Sequence, residues 1–314
     1  MEIFSTAPVE NTKNKTIVTF PNDVYSEEKD VKEIVVFLLL GILIIFVNAT
    51  SIVVFWRRRF FLRRSTILLI NLTTADLLVG FVLIFAMLED ILPSRFVNGD
   101  AYYEFIVAFD VFATPCSIFF LAAISLEKAH AILRPLRHVS MPTRYYITGV
   151  LSVWFLSGFL SAINLLPFHI MFNKKIPIIV ISAFIGLALL ITFASYASIW
   201  IKFKKRVFKH RTSATEMNRN LVKTLFIVTV LSLISWLPFK IIFILFHLLS
   251  NVQISNSIIV ITRLVQYANS LLNPIVYNLR MPDFRREMKK ILCGCVVKDI
   301  PKSNIRLVSM KRSS

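Results

Sequence analysis

Long apolar stretches separated by polar, mostly basic segments run the length of this chain. Each stretch holds the roughly 20 residues needed to cross the hydrocarbon core of a bilayer. Only helices and closed barrels satisfy their backbone within lipid, and these stretches are too long and too continuously apolar for barrel strands. The pattern predicts an all-α, seven-transmembrane helix bundle with spans near 33–56, 66–90, 103–127, 145–167, 177–201, 221–248 and 257–279.

Composition and the placement of charge support a membrane protein. Hydrophobic residues make up 56% of the 314 residues and charged residues 17%, which is too apolar for a soluble domain. The net charge of +18 would suit nucleic acid, but the basic residues cluster in alternate connecting segments and in the C-terminal part. Because basic segments favour the cytosolic side, we expect an extracellular N-terminus, a cytosolic C-terminus and no nucleic-acid partner.

The predicted organisation is one membrane domain with short flanking segments. Residues 1–32 form an extracellular tail without an evident cleavable signal peptide, and Asn14-Lys15-Thr16 is a glycosylation sequon within it. The seven-transmembrane domain covers 33–279. An amphipathic membrane-surface helix is predicted over 280–295, and a basic, serine-rich, disordered tail over 296–314.

The three cysteines are Cys116, within the third span, and Cys293 and Cys295, after the seventh. None lies in a predicted external loop, so the sequence proposes no extracellular disulfide. Cys293 and Cys295 follow a basic amphipathic stretch, which suits palmitoylation of a helix lying on the membrane surface. The alternative is two reduced cytosolic thiols.

Asp76 is a carboxylate in the middle of the second span. A charge inside the membrane costs free energy, so its presence there indicates a functional or structural role. A carboxylate with several neutral oxygens is the ligand set that sodium prefers. The alternative is a hydrogen-bonded plug that only holds helices together. The residues that we expect to converge on Asp76 are Asn48, Ser117, Asn269, Ser270 and Asn273.

Two further features point to recognition at one end and switching at the other. Asp110 and Lys128 are 18 residues apart on the third helix, which is five turns and about 27 Å. They therefore share a helix face, with Asp110 near the outer end and Lys128 at the cytosolic boundary. In the sixth span, Pro238 predicts a kink beside Trp236, although proline is common in membrane helices without any switching role.

Taken in order, these residues resemble the rhodopsin-like family of G-protein-coupled receptors, and the resemblance covers about 33–295. Glu127-Lys128-Ala129 stands where the family has Asp/Glu-Arg-Tyr. The other matching positions, one helix after another, are Asn48, Leu72, Ala75-Asp76, Trp154, Tyr196, Trp236-Leu237-Pro238 and Asn273-Pro274-Ile275-Val276-Tyr277.

The resemblance implies a plasma-membrane receptor whose extracellular ligand shifts a population towards a state that activates a heterotrimeric G protein. It implies a sodium site at Asp76, Ser117, Asn269 and Asn273, and no other cofactor. The inner switch and the G-protein contact would use Glu127, Lys128, Leu136, Tyr196, Asn273, Pro274 and Tyr277. Serines in the tail are candidates for a receptor kinase and arrestin.

Within the family, the pocket pattern is closest to amine and trace-amine-type receptors. Asp110 matches the acid that holds a ligand ammonium, Tyr267 matches its usual partner, and Trp236 and Phe239 match the aromatic floor. A carboxylate beside aromatic rings suits a cation. The ligand is therefore expected to be a small cationic or zwitterionic molecule.

Two cations complicate that expectation. Lys240 and Arg263 are predicted near the same vestibule as Asp110. Arg263 either pairs with Asp110, or meets an acidic group of the ligand, or extends to water as long basic side chains do in membranes.

The chain also departs from the family pattern. Lys128 replaces an arginine, and a compact ammonium cannot reproduce a planar guanidinium fork. A coupling-deficient relative, acting as a decoy or partner subunit, therefore stays open. An ion transporter or channel is a weaker alternative, since no internal repeat is visible and the chain has only 7 Gly. The five scattered His offer no catalytic or metal-ligating spacing, so an enzyme is not expected.

Overall fold

The computed structural model describes residues 30–57, 64–92, 99–169, 175–207, 231–232, 234–245, 254–280 and 282–293. These residues are almost entirely helical, and no strand occurs among them. The predicted glycosylation site Asn14, the cysteine Cys295 and the tail 296–314 lie outside the described residues, as does the side chain of Cys293. The all-α fold class is confirmed.

The helices follow the order of the predicted spans, with two short helices added at one end. Within the described residues they are α1 (Val31–Arg57), α2 (Arg64–Ile91), α3 (Gly99–Leu133), α4 (Pro135–Val139), α5 (Thr143–His169), α6 (Lys175–Val207), α7 (Ile234–Leu245), α8 (Asn256–Arg280) and α9 (Pro282–Cys293). The end of the bundle at which α1 begins is called the outer end below, following the predicted orientation, and the opposite end is called the inner end.

Five of these helices, α1, α2, α3, α5 and α6, are long and apolar enough to cross a membrane. The described part of α7 is a shorter apolar helix. Large apolar side chains are exposed along the outside of the bundle, such as Leu39 on α1 and Phe155 on α5. An apolar exterior of this kind fits lipid rather than water as the surrounding solvent.

The helix α3 lies at the centre of the packing, in contact with α2, α5 and α6. On one side α1 packs closely on α2, because glycines meet at the crossing. A Cβ placed on Gly80 would lie 3.1 Å from the Gly41 carbonyl oxygen and 2.7 Å from Ile45 Cγ1. Removing the side chain at these positions lets the two backbones approach.

The predicted short helix after the seventh span is present as α9, and an aromatic cluster packs it against the inner end. The Phe284 ring lies 5.2 Å from Phe55 of α1 and 5.8 Å from Tyr277 of α8, between ring centroids. Apolar residues of α9 recur at helical spacing as Phe284, Met288 and Ile291, whereas Arg285 and Lys289 are exposed. The helix is thus amphipathic.

The short helix α4 was not predicted from the sequence. Pro135 stands at its first position, where the missing backbone N–H of proline costs nothing. This helix places Leu136 at the inner end with 85% of the side chain exposed. The residue predicted to contact a G protein is therefore accessible.

Candidate functional site

The carboxylate of Asp76 joins three helices in the middle of the bundle. Asp76 lies on α2 and is completely buried. Ser117 of α3 donates its hydroxyl to Asp76 Oδ1 at 2.6 Å, and Asn273 of α8 donates its side-chain amide to Oδ2 at 2.6 Å. A buried carboxylate requires such donors. The structure thus brings together three of the four predicted sodium ligands.

The remaining polar residues of this region extend the network to α1. Asn48 donates its side-chain amide to the carbonyl oxygens of Ile44 and Ser270, at 2.9 and 3.2 Å. The side-chain oxygens of Asn48 and Asn269 are buried and have no hydrogen-bond partner. Buried polar atoms are normally paired, so these oxygens are available as ligands for a cation or a water.

Asp110 forms a second carboxylate site nearer the outer end. Thr114, one turn further along α3, donates its hydroxyl to Asp110 Oδ1 at 2.7 Å. Tyr267 of α8 donates its phenol to the same oxygen at 3.2 Å. Asp110 is partly buried. The predicted pairing of Asp110 with Tyr267 is present, whereas the contribution of Thr114 was missed, although its spacing of four residues is a readable signal.

Lys240 of α7 lies among aromatic rings close to Asp110. Its Nζ is 5.9 Å from the ring centroid of Trp236, 5.8 Å from Phe239 and 5.6 Å from Phe243. Asp110 is near enough to interact with it electrostatically. Phe243 was not predicted as part of the site, and it follows Phe239 by one helical turn.

Arg263 of α8 is only 4% exposed, so the interpretation that it extends to water is wrong. Its guanidinium carbon lies 5.6 Å from the ring centroid of Phe37 on α1. The same Phe37 ring packs edge-on against Tyr267, with centroids 6.3 Å apart. Arg263 is therefore held inside the outer half of the bundle, one turn from the tyrosine that contacts Asp110.

At the inner end, the charged residues of α3 interact with one another and with α4. Lys128 Nζ lies 2.7 Å from Glu127 Oε2, and His138 Nε2 lies 3.4 Å from Glu127 Oε1. The rings of His130 and His138 are 5.8 Å apart. The sequence did not indicate that His138 joins this group, because it is on a separate helix. The described residues hold no cluster of three or more His, Cys, Asp or Glu side chains that could bind a metal ion.

A cavity of about 50 Å³ lies between the Asp76 region and the inner end. Trp236 of α7 and Ser232, which precedes α7 in the chain, line it, and neither the indole N–H nor the serine hydroxyl has a hydrogen-bond partner. Asn273, Tyr196 and Tyr277 also line it. The space is large enough for water, and it connects the Asp76 partner Asn273 with both tyrosines of the predicted inner switch.

The last turns of α8, which contain Pro274, lie beside the same cavity. Pro274 lies inside α8, directly after Asn273, and removes one backbone donor from the helix. Tyr277 follows by one turn and is buried against Phe55, with ring centroids 5.5 Å apart. Tyr196 of α6 is also buried, and it packs with Ala129 of α3.

Comparison with known proteins matches this architecture to one family. The family described as 7 transmembrane receptor (rhodopsin family) matches residues 47–277, more than two thirds of the chain. Free fatty acid receptor 4 from Mus musculus is 29% identical, over 89% of this chain and 87% of its own length. Trace amine-associated receptor 13c from Danio rerio is 27% identical, over 73% and 76%. Lysophosphatidic acid receptor 2 from Mus musculus is 24% identical, over 89% and 87%.

These matches confirm the resemblance inferred from the motifs, including the likeness to amine-type receptors. They confirm the seven-helix bundle with a short helix after the seventh span, and a multi-pass membrane protein whose role is signalling rather than catalysis. The match spans the Asp76 and Asp110 sites and the inner switch alike. The chain belongs to the rhodopsin family of seven-transmembrane receptors.

Proposed function

We propose that this receptor binds a small cationic or zwitterionic extracellular ligand at Asp110 and, when bound, activates a heterotrimeric G protein. The observation that carries the proposal is the outer cluster of one acid, two cations and several aromatic rings. The acid is Asp110, held by Thr114 and Tyr267. The cations are Lys240 and Arg263.

The acidic half of this cluster suits an ammonium group. Hydrogen bonds from Thr114 and Tyr267 fix the orientation of the Asp110 carboxylate before any ligand arrives. A charge-assisted hydrogen bond to a preoriented carboxylate is stronger than one between neutral groups. The nearby faces of Trp236 and Phe239 add a favourable environment for a cation.

The cationic half favours a zwitterion over a simple amine. Lys240 makes no ion pair within the described part of the chain, and its ammonium is surrounded by three aromatic rings. A ligand carboxylate or phosphate would give this ammonium a direct contact in addition to its attraction to Asp110. The relatives' names are consistent with both halves, since one is a trace amine-associated receptor and others are receptors for a free fatty acid and for lysophosphatidic acid.

For signalling, we assign the inner end of the helix bundle to contact with the G protein. Leu136 is exposed on α4, and Glu127, Lys128 and Tyr196 line the inner parts of α3 and α6. Ligand binding beside Trp236 would shift α7, and the cavity beneath it provides space for Tyr196 and Tyr277 to rearrange. Pro274 lets α8 adjust at the same level.

Asp76 is proposed as a sodium site that stabilises the resting state. Hard cations prefer oxygen ligands. The Asp76 carboxylate, the Ser117 hydroxyl and the side-chain oxygen of Asn269, which has no hydrogen-bond partner, are ligands of this type. Asn273 supplies a further side-chain oxygen. The competing interpretation is a purely structural hydrogen-bonded plug.

A second candidate function is a coupling-deficient relative that serves as a decoy or partner subunit. The observation that favours it is the Lys128–Glu127 ion pair, at 2.7 Å. A lysine already paired to its own neighbour offers fewer donors to a G protein than an arginine would.

The receptor is placed in the plasma membrane with the N-terminus outside and the C-terminus in the cytosol. Asn14 is proposed to carry a glycan, and Cys293 and Cys295 to carry palmitate. A receptor kinase and arrestin are proposed to act on the serine-rich tail.

The experiment measures G-protein activation in cells that display the chain at their surface, against biogenic amines, amino-acid-like zwitterions and fatty acids. The native chain, Asp110→Asn and Lys128→Arg are compared at equal surface expression. A response that Asp110→Asn removes and Lys128→Arg enlarges supports the receptor and its ligand site. Silence from both the native chain and Lys128→Arg favours the coupling-deficient relative, and a fatty acid response that is insensitive to Asp110 contradicts the ligand class.

A further inference from the structure

An apolar groove of about 470 Å³ lies on the outside of the bundle, against α1. Its walls come from α1, α2 and α9, with Ile84 from α2 and Ile291 from α9. The α1 residues that line it are Ile42, Ile45, Phe46, Ala49, Thr50 and Val53. The one hydroxyl among them, that of Thr50, donates to the Phe46 carbonyl oxygen at 2.6 Å. The groove therefore offers only hydrocarbon to an occupant.

The shape and position of the groove fit an acyl chain. From Ile42 to Val53 it follows α1 for about 17 Å. Ile42 and Phe46 are exposed, so the groove opens sideways to the space that bilayer lipid fills. Its inner mouth lies between Val53 and Ile291, at the level where α9 rests on the membrane surface.

Positive charge collects at this inner mouth. Arg57 is the last residue of α1 and follows Val53 by four positions, so it lies on the groove face one turn beyond the apolar walls. Arg57 is exposed, and it has no ion-pair partner within the described ranges. The helix α9 adds four cations, Arg285, Arg286, Lys289 and Lys290, against two acids. In sequence, Arg58 and Arg59 follow Arg57 directly.

We propose that this groove is a binding site for one anionic phospholipid. An acyl chain lies along α1 between Ile84 and Ile291, and the phosphate and charged headgroup meet Arg57 and the cations of α9. A neutral sterol would use the groove but bring no anion to Arg57. Phosphatidylcholine would fill the groove without a net negative headgroup. Each cation near the membrane surface favours an anionic lipid by a factor of about five.

The test is native mass spectrometry of the full-length chain purified in detergent, with phosphatidylserine and phosphatidylcholine supplied at equal concentration. The native chain is expected to retain one phosphatidylserine in preference to phosphatidylcholine. Arg57→Gln should reduce that preference about fivefold. Lys204→Gln, which removes an exposed cation from the last turns of α6, is the matched control and should leave the preference unchanged.

A second pair of variants tests the groove itself. Ala49→Trp fills the groove and should reduce retention of both lipids, whereas Leu39→Trp, an exposed α1 position that does not line the groove, should not. If Ala49→Trp fails to fold, the Arg57 comparison still decides the proposal, because that change leaves the apolar walls intact.

Three results would overturn the proposal. Equal retention of both lipids would remove the role of charge. Equal effects of Arg57→Gln and Lys204→Gln would show diffuse attraction to the whole inner surface. Retention of phosphatidylserine only after Cys293→Ser has removed a covalent acyl chain would show that the palmitate proposed for Cys293 occupies the groove instead.

Discussion

Asp76 and Asp110 are both acids inside the helix bundle, yet their surroundings differ in kind. Asp76 is fully buried, and each of its oxygens accepts one hydrogen bond from a neutral side chain of another helix. Asp110 is partly buried, with two hydroxyls on one oxygen and two cations in the same half of the bundle. The first environment tolerates a small ion at most, whereas the second is built around several unlike charges.

This contrast indicates how one fold separates ligand recognition from internal switching. Because only neutral side chains surround the Asp76 carboxylate, a small cation or a proton can neutralise its charge. The site has little room for an organic molecule. Mixed charges around Asp110 suit a molecule that carries charges of its own. Four substitutions test this distinction.

The largest effect is expected when the charge of Asp110 is removed. Asp110→Asn should reduce agonist potency about 100-fold, since a charge-assisted hydrogen bond with an ammonium contributes up to about 3 kcal/mol. Dose–response curves of G-protein activation, at matched surface expression, measure the loss. Glu104→Gln, which also replaces a carboxylate by an amide on α3, is the control. Unchanged potency in Asp110→Asn would remove its role as the ligand anchor.

Lys240 tests whether the ligand carries an acid as well. Lys240→Gln should reduce the potency of a zwitterionic agonist about tenfold, because a buried ion pair is lost. The same variant should leave a simple amine of similar size nearly unaffected. Measuring both ligands on the one variant separates a lost contact from a damaged fold. An equal loss for both would contradict the assignment of Lys240 to the acid.

Asp76→Asn tests whether the fully buried acid binds sodium. If sodium binds at Asp76, raising sodium should weaken agonist binding about fivefold in the native chain, and the variant should lose that dependence. Competition binding with sodium and with potassium measures it. Sodium dependence that persists in Asp76→Asn would favour the structural plug.

Tyr267→Phe probes how the Asp110 carboxylate is held, and it should have the smallest effect. Removing one hydroxyl donor at 3.2 Å costs about 1 kcal/mol, or roughly fivefold in potency at most. The edge-on packing against Phe37 is kept by the phenyl ring. A loss as large as that of Asp110→Asn would show that Tyr267 contacts the ligand directly.

Much of the fold followed from local pattern. The apolar stretches predicted α1, α2, α3, α5, α6 and α8 with their ends within about six residues, because length and hydropathy alone decide what spans a bilayer. The amphipathic basic stretch predicted α9 in the same way. The short α4 was missed because five residues carry too little periodicity to register.

The site was predicted in part. Family motifs placed Asp76, Ser117 and Asn273 together, and Asp110 with Tyr267. They did not indicate that His138 approaches Glu127, nor that Phe37 packs against Arg263 and Tyr267. Each of these contacts joins side chains of separate helices, and their distance depends on how the helices are rotated and how closely they pack.

The membrane spans, the charged ends and the two internal acids could be read from the order of amino acids, because these features depend on composition along a single helix. Only the tertiary structure decided that Arg263 is buried, that three rings enclose Lys240, and that α1, α2 and α9 leave an apolar groove ending at Arg57. Those outcomes depend on side chains from several helices meeting in space, and no single helix carries that information.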